Sequence, residues 1–134
     1  NHYMPHWVVG KVADALNEHG KAIKGSRILV LGLAYKKNID DTRESPAVEI
    51  MDLLQAKGAH VDYSDPHVPV FPRKRDYYFD LRSISLNEQS VASYDCVLLA
   101  TDHDGFDYPL LEKSAQIFVD TRGRVKSAKN IILA

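Results

Sequence analysis

Three things are scarce in this chain. It has one cysteine, Cys96, no apolar run long enough to cross a bilayer, and one glycine where a dinucleotide-gripping turn needs three. A single cysteine excludes an internal disulfide framework and fits a reducing, cytoplasmic setting. Without a run of about 18 apolar residues there is no candidate membrane span, and no signal peptide is visible. Charge of one sign is lacking too: 17 Lys and Arg stand against 18 Asp and Glu, a formal net charge of −1. No general pull toward nucleic acid or an anionic membrane is therefore expected. The single short basic run, Arg73 to Arg75, reads as a solvated loop. Repeats and low-complexity segments are absent.

What remains is an ordinary globular chain of 134 residues, 45% hydrophobic and 26% charged, sized for one domain with one sizeable core. It opens "NHYMPHW", without an initiator methionine, and is expected to be a piece of something longer. Val9, Val12, Ala13 and Leu16 recur at helical spacing after Pro5, so the first segment reads as a helix closed at His19-Gly20. Trp7 near its start suggests packing on something beyond this chain. "RILVLG" is a continuous apolar run, as expected of a strand buried on both faces. A second helix follows, capped by Ser45 and opened by Pro46, with Ala47, Ile50, Met51 and Leu54 as its core stripe and Gly58 as its stop. Val48 stands where a capping box would need Glu or Gln.

"AHVDYSDP" reads as a shorter strand. The stretch from His67 to Ser83 is rich in proline and charge and is expected to be a long surface excursion, with one short strand around Leu81–Ile84. "NEQSVAS" suggests a short helix, "YDCVLLAT" a second buried strand, "DYPLLEKSAQ" a helix, "IFVDT" a strand and "NIILA" a last short one. Strands alternating with helices predict the α/β class: a Rossmann-like, doubly wound, mostly parallel sheet with helices on both faces.

In such a sheet, ligands sit beyond the carboxyl ends of the strands, where strand order reverses. A dinucleotide fingerprint would place G-x-G-x-x-G directly after the first strand. The chain instead has Gly32 followed by "LAYKK". Lys36, Lys37, Arg43, Arg122 and Arg124 all fall just beyond strand ends and should gather on one rim. Lysine offers a point charge and arginine a fork, both suited to phosphate oxygens, and Tyr35 offers a flat face for a ring. The start of the helix at Ser45-Pro46 adds a positive dipole end. A phosphate-bearing ligand is the expected partner. The competing reading pairs the same cations with Asp40, Asp41 and Glu44 as surface ion pairs.

Other residues are weighed the same way. Asp65 resembles an acidic ribose ligand by position, but without the glycines it reads as a turn-forming Asp before proline. "TDHDGFD" brings Asp102, His103, Asp104 and Asp107 together past a strand, yet at no recognised metal-ligand spacing. It reads as a loop in which Asp107 caps a helix and Asp102 orients neighbours. Cys96, inside an apolar strand, reads as inert packing.

The motifs "MPHWVVGKVADALN", "GLAYKKNIDDTRESPA", "GAHVDYSDPHVP", "LLATDHDGFDY" and "VDTRG", in that order and over essentially the whole chain, resemble the C-terminal domain of the nucleotide-sugar dehydrogenases. "AYKKNIDDTRESP" is more similar to the UDP-N-acetylglucosamine and UDP-N-acetylmannosamine branch than to the UDP-glucose branch. The resemblance implies an enzyme that oxidises a sugar C6 alcohol to a carboxylate in two NAD-dependent steps through a cysteine thioester, to make polysaccharide precursors. It implies that Tyr35, Lys36 and Arg122 bind the UDP-sugar and that Arg43 reaches the NAD phosphates. Residues 1–24 would end a central helical region, and 25–134 would form the UDP-sugar-binding domain. NAD would be held mainly by another domain, which also carries the nucleophilic cysteine, so this stretch alone is expected to be inactive and to contain no catalytic or metal-binding residue. The whole enzyme is expected to be a cytoplasmic homodimer or higher oligomer with no nucleic-acid or membrane partner. UDP-glucose or GDP-mannose oxidation, and a non-enzymatic nucleotide-sensing or subunit-contact module, are the alternatives.

Overall fold

The computed structural model describes residues 4–42, 45–72, 80–125 and 130–133. These form α1 (Met4–Glu18), β1 (Arg27–Leu31), α2 (Pro46–Ala56), β2 (His60–Ser64), α3 (Glu88–Ala92), β3 (Cys96–Leu99), α4 (Tyr108–Ser114), β4 (Phe118–Asp120) and β5 (Ile131–Leu133). The five strands make one sheet in the order β2-β1-β3-β4-β5, every neighbouring pair parallel. This is the α/β, Rossmann-like, doubly wound architecture that the alternating pattern predicts. Strand order reverses between β1 and β3, so the crevice at their carboxyl ends is the topological switch point.

The apolar runs of β1, β3 and β4 are explained by cover on both faces. Ile28, Val30, Cys96, Leu98 and Val119 face a core built with α1 and α2, while Leu29, Leu31, Val97, Leu99 and Phe118 face one built with α3 and α4. Each fully buried aliphatic side chain there contributes about 1.5–3 kcal/mol. From α1, Val8, Val9, Val12, Ala15 and Leu16 enter the first of these cores; Trp7 stays 58% exposed, with the Lys11 ammonium 4.6 Å from its ring centroid.

Local chemistry sets the helix ends. Ser45 Oγ accepts the Ala47 N–H and Pro46 occupies the first turn of α2. At the other end Gly58, at φ +94°, lets the Ala59 N–H return to the Leu54 carbonyl. Asn87 and Ser90 cap each other at α3, and Asp107 accepts the Leu110 N–H at α4, as its position suggested.

The stretch after β2 departs from expectation. It is not simply a surface excursion, because Val68 and Phe71 are buried and the Phe71 ring meets Tyr63 edge-on at 5.9 Å. No strand forms over Leu81–Ile84 either: Val70 and Arg82 make a single antiparallel bridge. Pro69 and Pro72 have no N–H to donate, which stops a ladder from extending. Residues 73–79, with the basic run Arg73 to Arg75, lie outside the described residues.

Candidate functional site

The loops leaving β1, β3 and β4 meet at the carboxyl edge of the sheet, and a buried polar network joins the first two. Asp65, just past β2, is 1% exposed. One of its oxygens, Oδ2, accepts the Leu33 N–H at 2.7 Å and contacts His103 Nε2 at 2.9 Å; the other, Oδ1, accepts the His67 N–H at 2.7 Å. His103 is fully buried, and its Nδ1 accepts the Asn38 N–H at 2.7 Å. Because Nδ1 is an acceptor, the imidazole is neutral and Nε2 carries the hydrogen given to Asp65. Burial opposes ionisation of Asp65, yet hydrogen bonds from His103, Leu33 and His67 outweigh it and hold the carboxyl below its ordinary value.

Asn38 itself is in the left-handed region at φ +63°, which Asn tolerates better than most residues. Its side chain pairs twice with Asp104, accepting the Asp104 N–H at 2.9 Å and donating to Oδ2 at 2.8 Å. Thr101 Oγ1 donates to the Ala34 carbonyl at 2.6 Å, and the Tyr35 N–H bonds the Asp41 carbonyl at 2.8 Å. The loop from Leu33 to Asp41 is thus tied down through its backbone and the Asn38 side chain, while Tyr35 is 47% exposed and Lys36 is exposed with no ion pair among the described residues.

A second carboxylate organises the β4 loop. Asp120, fully buried, accepts the N–H groups of Arg122, Gly123 and Val125 at 2.8–3.0 Å. Arg122 is exposed, and its Nε donates to the Ala100 carbonyl at 2.9 Å. That anchors the guanidinium over the end of β3 and leaves both Nη groups without a hydrogen-bond partner among the described residues. Arg124 is committed elsewhere: it contacts Asp102 and Asp104 and lies 4.6 Å from the Tyr108 ring. Lys37 reaches Asp104 only at 4.0 Å.

The structure therefore places Lys36 and Arg122 on the same edge, flanking the end of β3. Tyr35, Lys36 and Arg122 form no hydrogen bond or ion pair with one another. Arg43 lies outside the described residues, as does Glu44. The carboxylates that Lys37 and Arg124 meet are on the β3 loop. Among the described residues no cluster of His, Cys, Asp or Glu could hold a metal ion, and no helix is long and apolar enough to cross a membrane.

The single glycine of the β1 turn does not cradle a ligand. Gly32 has φ +89°, and a Cβ there would lie 2.5 Å from the Thr101 carbonyl oxygen and 2.6 Å from Thr101 Cβ. The close approach that a pyrophosphate would need is taken by the chain itself. The residues of this turn do not fit a dinucleotide, and what it offers is side-chain cations.

The family model for the UDP-binding domain of the UDP-glucose/GDP-mannose dehydrogenases matches residues 29–127. The chain belongs to that family. Its relatives include a UDP-N-acetyl-D-mannosamine dehydrogenase of Methanococcus maripaludis, 35% identical over 106 residues, 79% of this chain and 22% of the relative. An NDP-N-acetyl-D-galactosaminuronic acid dehydrogenase of Ralstonia nicotianae is 34% identical over 137 residues, 98% of this chain and 29% of the relative. Among solved structures, the UDP-D-ManNAc dehydrogenase of Pyrococcus horikoshii superposes with a TM-score of 0.76 at 28% identity, over 99% of this chain and 30% of its own. The chain spans less than a third of the length of each of these relatives. In this UDP-binding domain Lys36, Lys37, Arg122 and Arg124 lie on loops at the carboxyl edge of the sheet.

Sequence reasoning missed the Asp65–His103–Asn38 network. Asp65 did prove to be a turn former, through its bond to the His67 N–H, and Asp102 does orient a neighbour, Arg124. But 38 residues separate Asp65 from His103 and 65 separate His103 from Asn38. Only the sheet order could have suggested the contact, since it brings the ends of β2, β1 and β3 side by side.

Proposed function

We propose that this chain is the nucleotide-sugar-binding domain of an NAD-dependent UDP-N-acetylhexosamine 6-dehydrogenase, whose product feeds polysaccharide synthesis. The observation that carries the reading is the cationic edge: Lys36 and Arg122 stand on the loops after β1 and β4, on either side of the end of β3, with charge and N–H groups unspent among the described residues. Within the family, that edge suits the diphosphate of a UDP-sugar. The Lys36 ammonium meets phosphate oxygens as a point charge, the Arg122 fork offers its Nη groups, and Tyr35 gives a ring face to the nucleotide.

NAD belongs mainly to a part of the enzyme outside this chain, which is also where the nucleophilic cysteine resides; Arg43 reaches toward the NAD phosphates. Cys96 does not serve as nucleophile: it is fully buried, and burial pushes its thiol up to about 12. Residues 1–24 end a central helical region and 25–134 form the binding domain. By itself the 134-residue chain is inactive. The whole enzyme is a cytoplasmic homodimer or higher oligomer.

Calorimetric titration with UDP, GDP and the UDP-N-acetylhexosamines tests the assignment. UDP compounds should bind and GDP should not; preference for UDP-glucose or GDP-mannose would move the enzyme to another branch of the family. Lys36→Ala and Arg122→Ala should each weaken binding by about 1–3 kcal/mol, the usual loss for a charged hydrogen bond. Arg43→Ala in the whole enzyme should raise KM for NAD instead. Unchanged affinities in all three variants would defeat the site assignment.

A further inference from the structure

We propose that His103 is a positioning residue for nucleotide-sugar binding, acting through the Asn38 amide on the loop that presents Tyr35 and Lys36. This rests on the nucleotide-sugar reading above and deepens it. One carboxylate grips both ends of the segment between Leu33 and Asn38: directly at the Leu33 N–H, and through His103 at the Asn38 N–H. The two residues that would meet the ligand lie between those grips. Thr101 holds the same segment from the side, at the Ala34 carbonyl.

The pair is built to be rigid. Both side chains have 0% exposure, so water does not compete for the contacts. His67 stacks edge-on to the imidazole at 4.7 Å and Phe106 lies at 5.7 Å, while Tyr108 Oη bonds the His103 carbonyl. An apolar pair of similar volume would serve a core at least as well. What an apolar pair would lack is an acceptor for the Asn38 amide. Ordering a loop on binding costs conformational entropy, and a loop ordered beforehand avoids that loss.

Two isosteric variants of the intact protein separate the roles of the ring nitrogens. His103→Asn puts a carbonyl oxygen near the place of Nδ1 and keeps the Asn38 contact. His103→Gln puts an amide near the place of Nε2 and keeps the Asp65 contact. UDP affinity should fall about five- to tenfold in H103Q, the scale of one hydrogen bond. In H103N it should stay within about twofold of the native value, although both variants melt earlier. Native-like affinity in H103Q, or affinities that simply follow melting temperature, would overturn the proposal.

Two ligand-free readouts keep it decidable if the native protein takes up no UDP, which would be a failure of the functional reading alone, and the second needs no variant to fold. Exchange of the Tyr35 amide should be faster in H103Q than in H103N, and equal rates would count against the clamp. In the native protein, imidazole nitrogen NMR should report the Nε2–H tautomer for His103. An Nδ1-protonated ring at neutral pH would refute the Asn38 contact.

Discussion

Asp65 and Asp120 are two buried carboxylates at the ends of parallel strands, each with three hydrogen-bond partners, and they work at different range. Asp120 serves its own loop: its three donors, Arg122, Gly123 and Val125, lie two to five residues ahead. Asp65 serves its neighbours' loops, reaching back 32 residues to Leu33 and forward 38 to His103. Their glycines differ in the same sense. Gly123 is open, with nothing within 4 Å of a would-be Cβ, while Gly32 is pressed against Thr101. One loop shapes itself, and the other is shaped by the assembled sheet.

The largest test of that contrast is Gly32→Ala. A side chain there meets backbone and holds an unfavourable φ, so the loss should be about 4 kcal/mol, near the top of the range for single substitutions, read by chemical denaturation. Asp65→Ala comes next. It orphans the buried Leu33 N–H and His103 Nε2–H as well as the His67 N–H, and at about 1–3 kcal/mol for each buried orphan the loss should exceed 3 kcal/mol. Asp120→Ala should cost about 2 kcal/mol, because only the Val125 N–H is wholly buried and the other two can turn to water. A larger loss at Asp120 than at Asp65 would reverse the comparison.

Acid titration sharpens it further. The folded Asp65 carboxyl lies below its unfolded value, so its contribution to stability is present above the unfolded pKa and is lost as pH falls through the folded one. Asp65→Asn should flatten the acid limb of the stability profile. The smallest effect belongs to Gly123→Ala, where only the φ of +68° opposes a side chain and about 1–2 kcal/mol is expected.

The same contrast explains what could be read in advance. The apolar runs of β1, β3 and β4, the Ser45 and Asp107 caps and the helical stripe of α2 are local patterns, each written within a few residues. The gathering of Lys36 and Arg122 on one edge needed only the alternation of strands and helices. Asp65 and His103 were legible singly, as a turn former and a loop residue, but not as partners. Nothing near either one names the other, and the contact exists only once β1 lies between β2 and β3. The stretch after β2 misled for a related reason: its prolines and charges hide Val68 and Phe71, which a helical or alternating period would have flagged.

Cys96 carries a practical consequence. Its thiol is sealed inside the sheet and held in the unreactive form at neutral pH, so the chain is chemically silent toward maleimides although it is not cysteine-free. A cysteine introduced at Lys37, beside the two loop residues assigned to the nucleotide, would be the only position to accept a dye. Its fluorescence would then report arrival of a ligand at this edge without any change to the native interior.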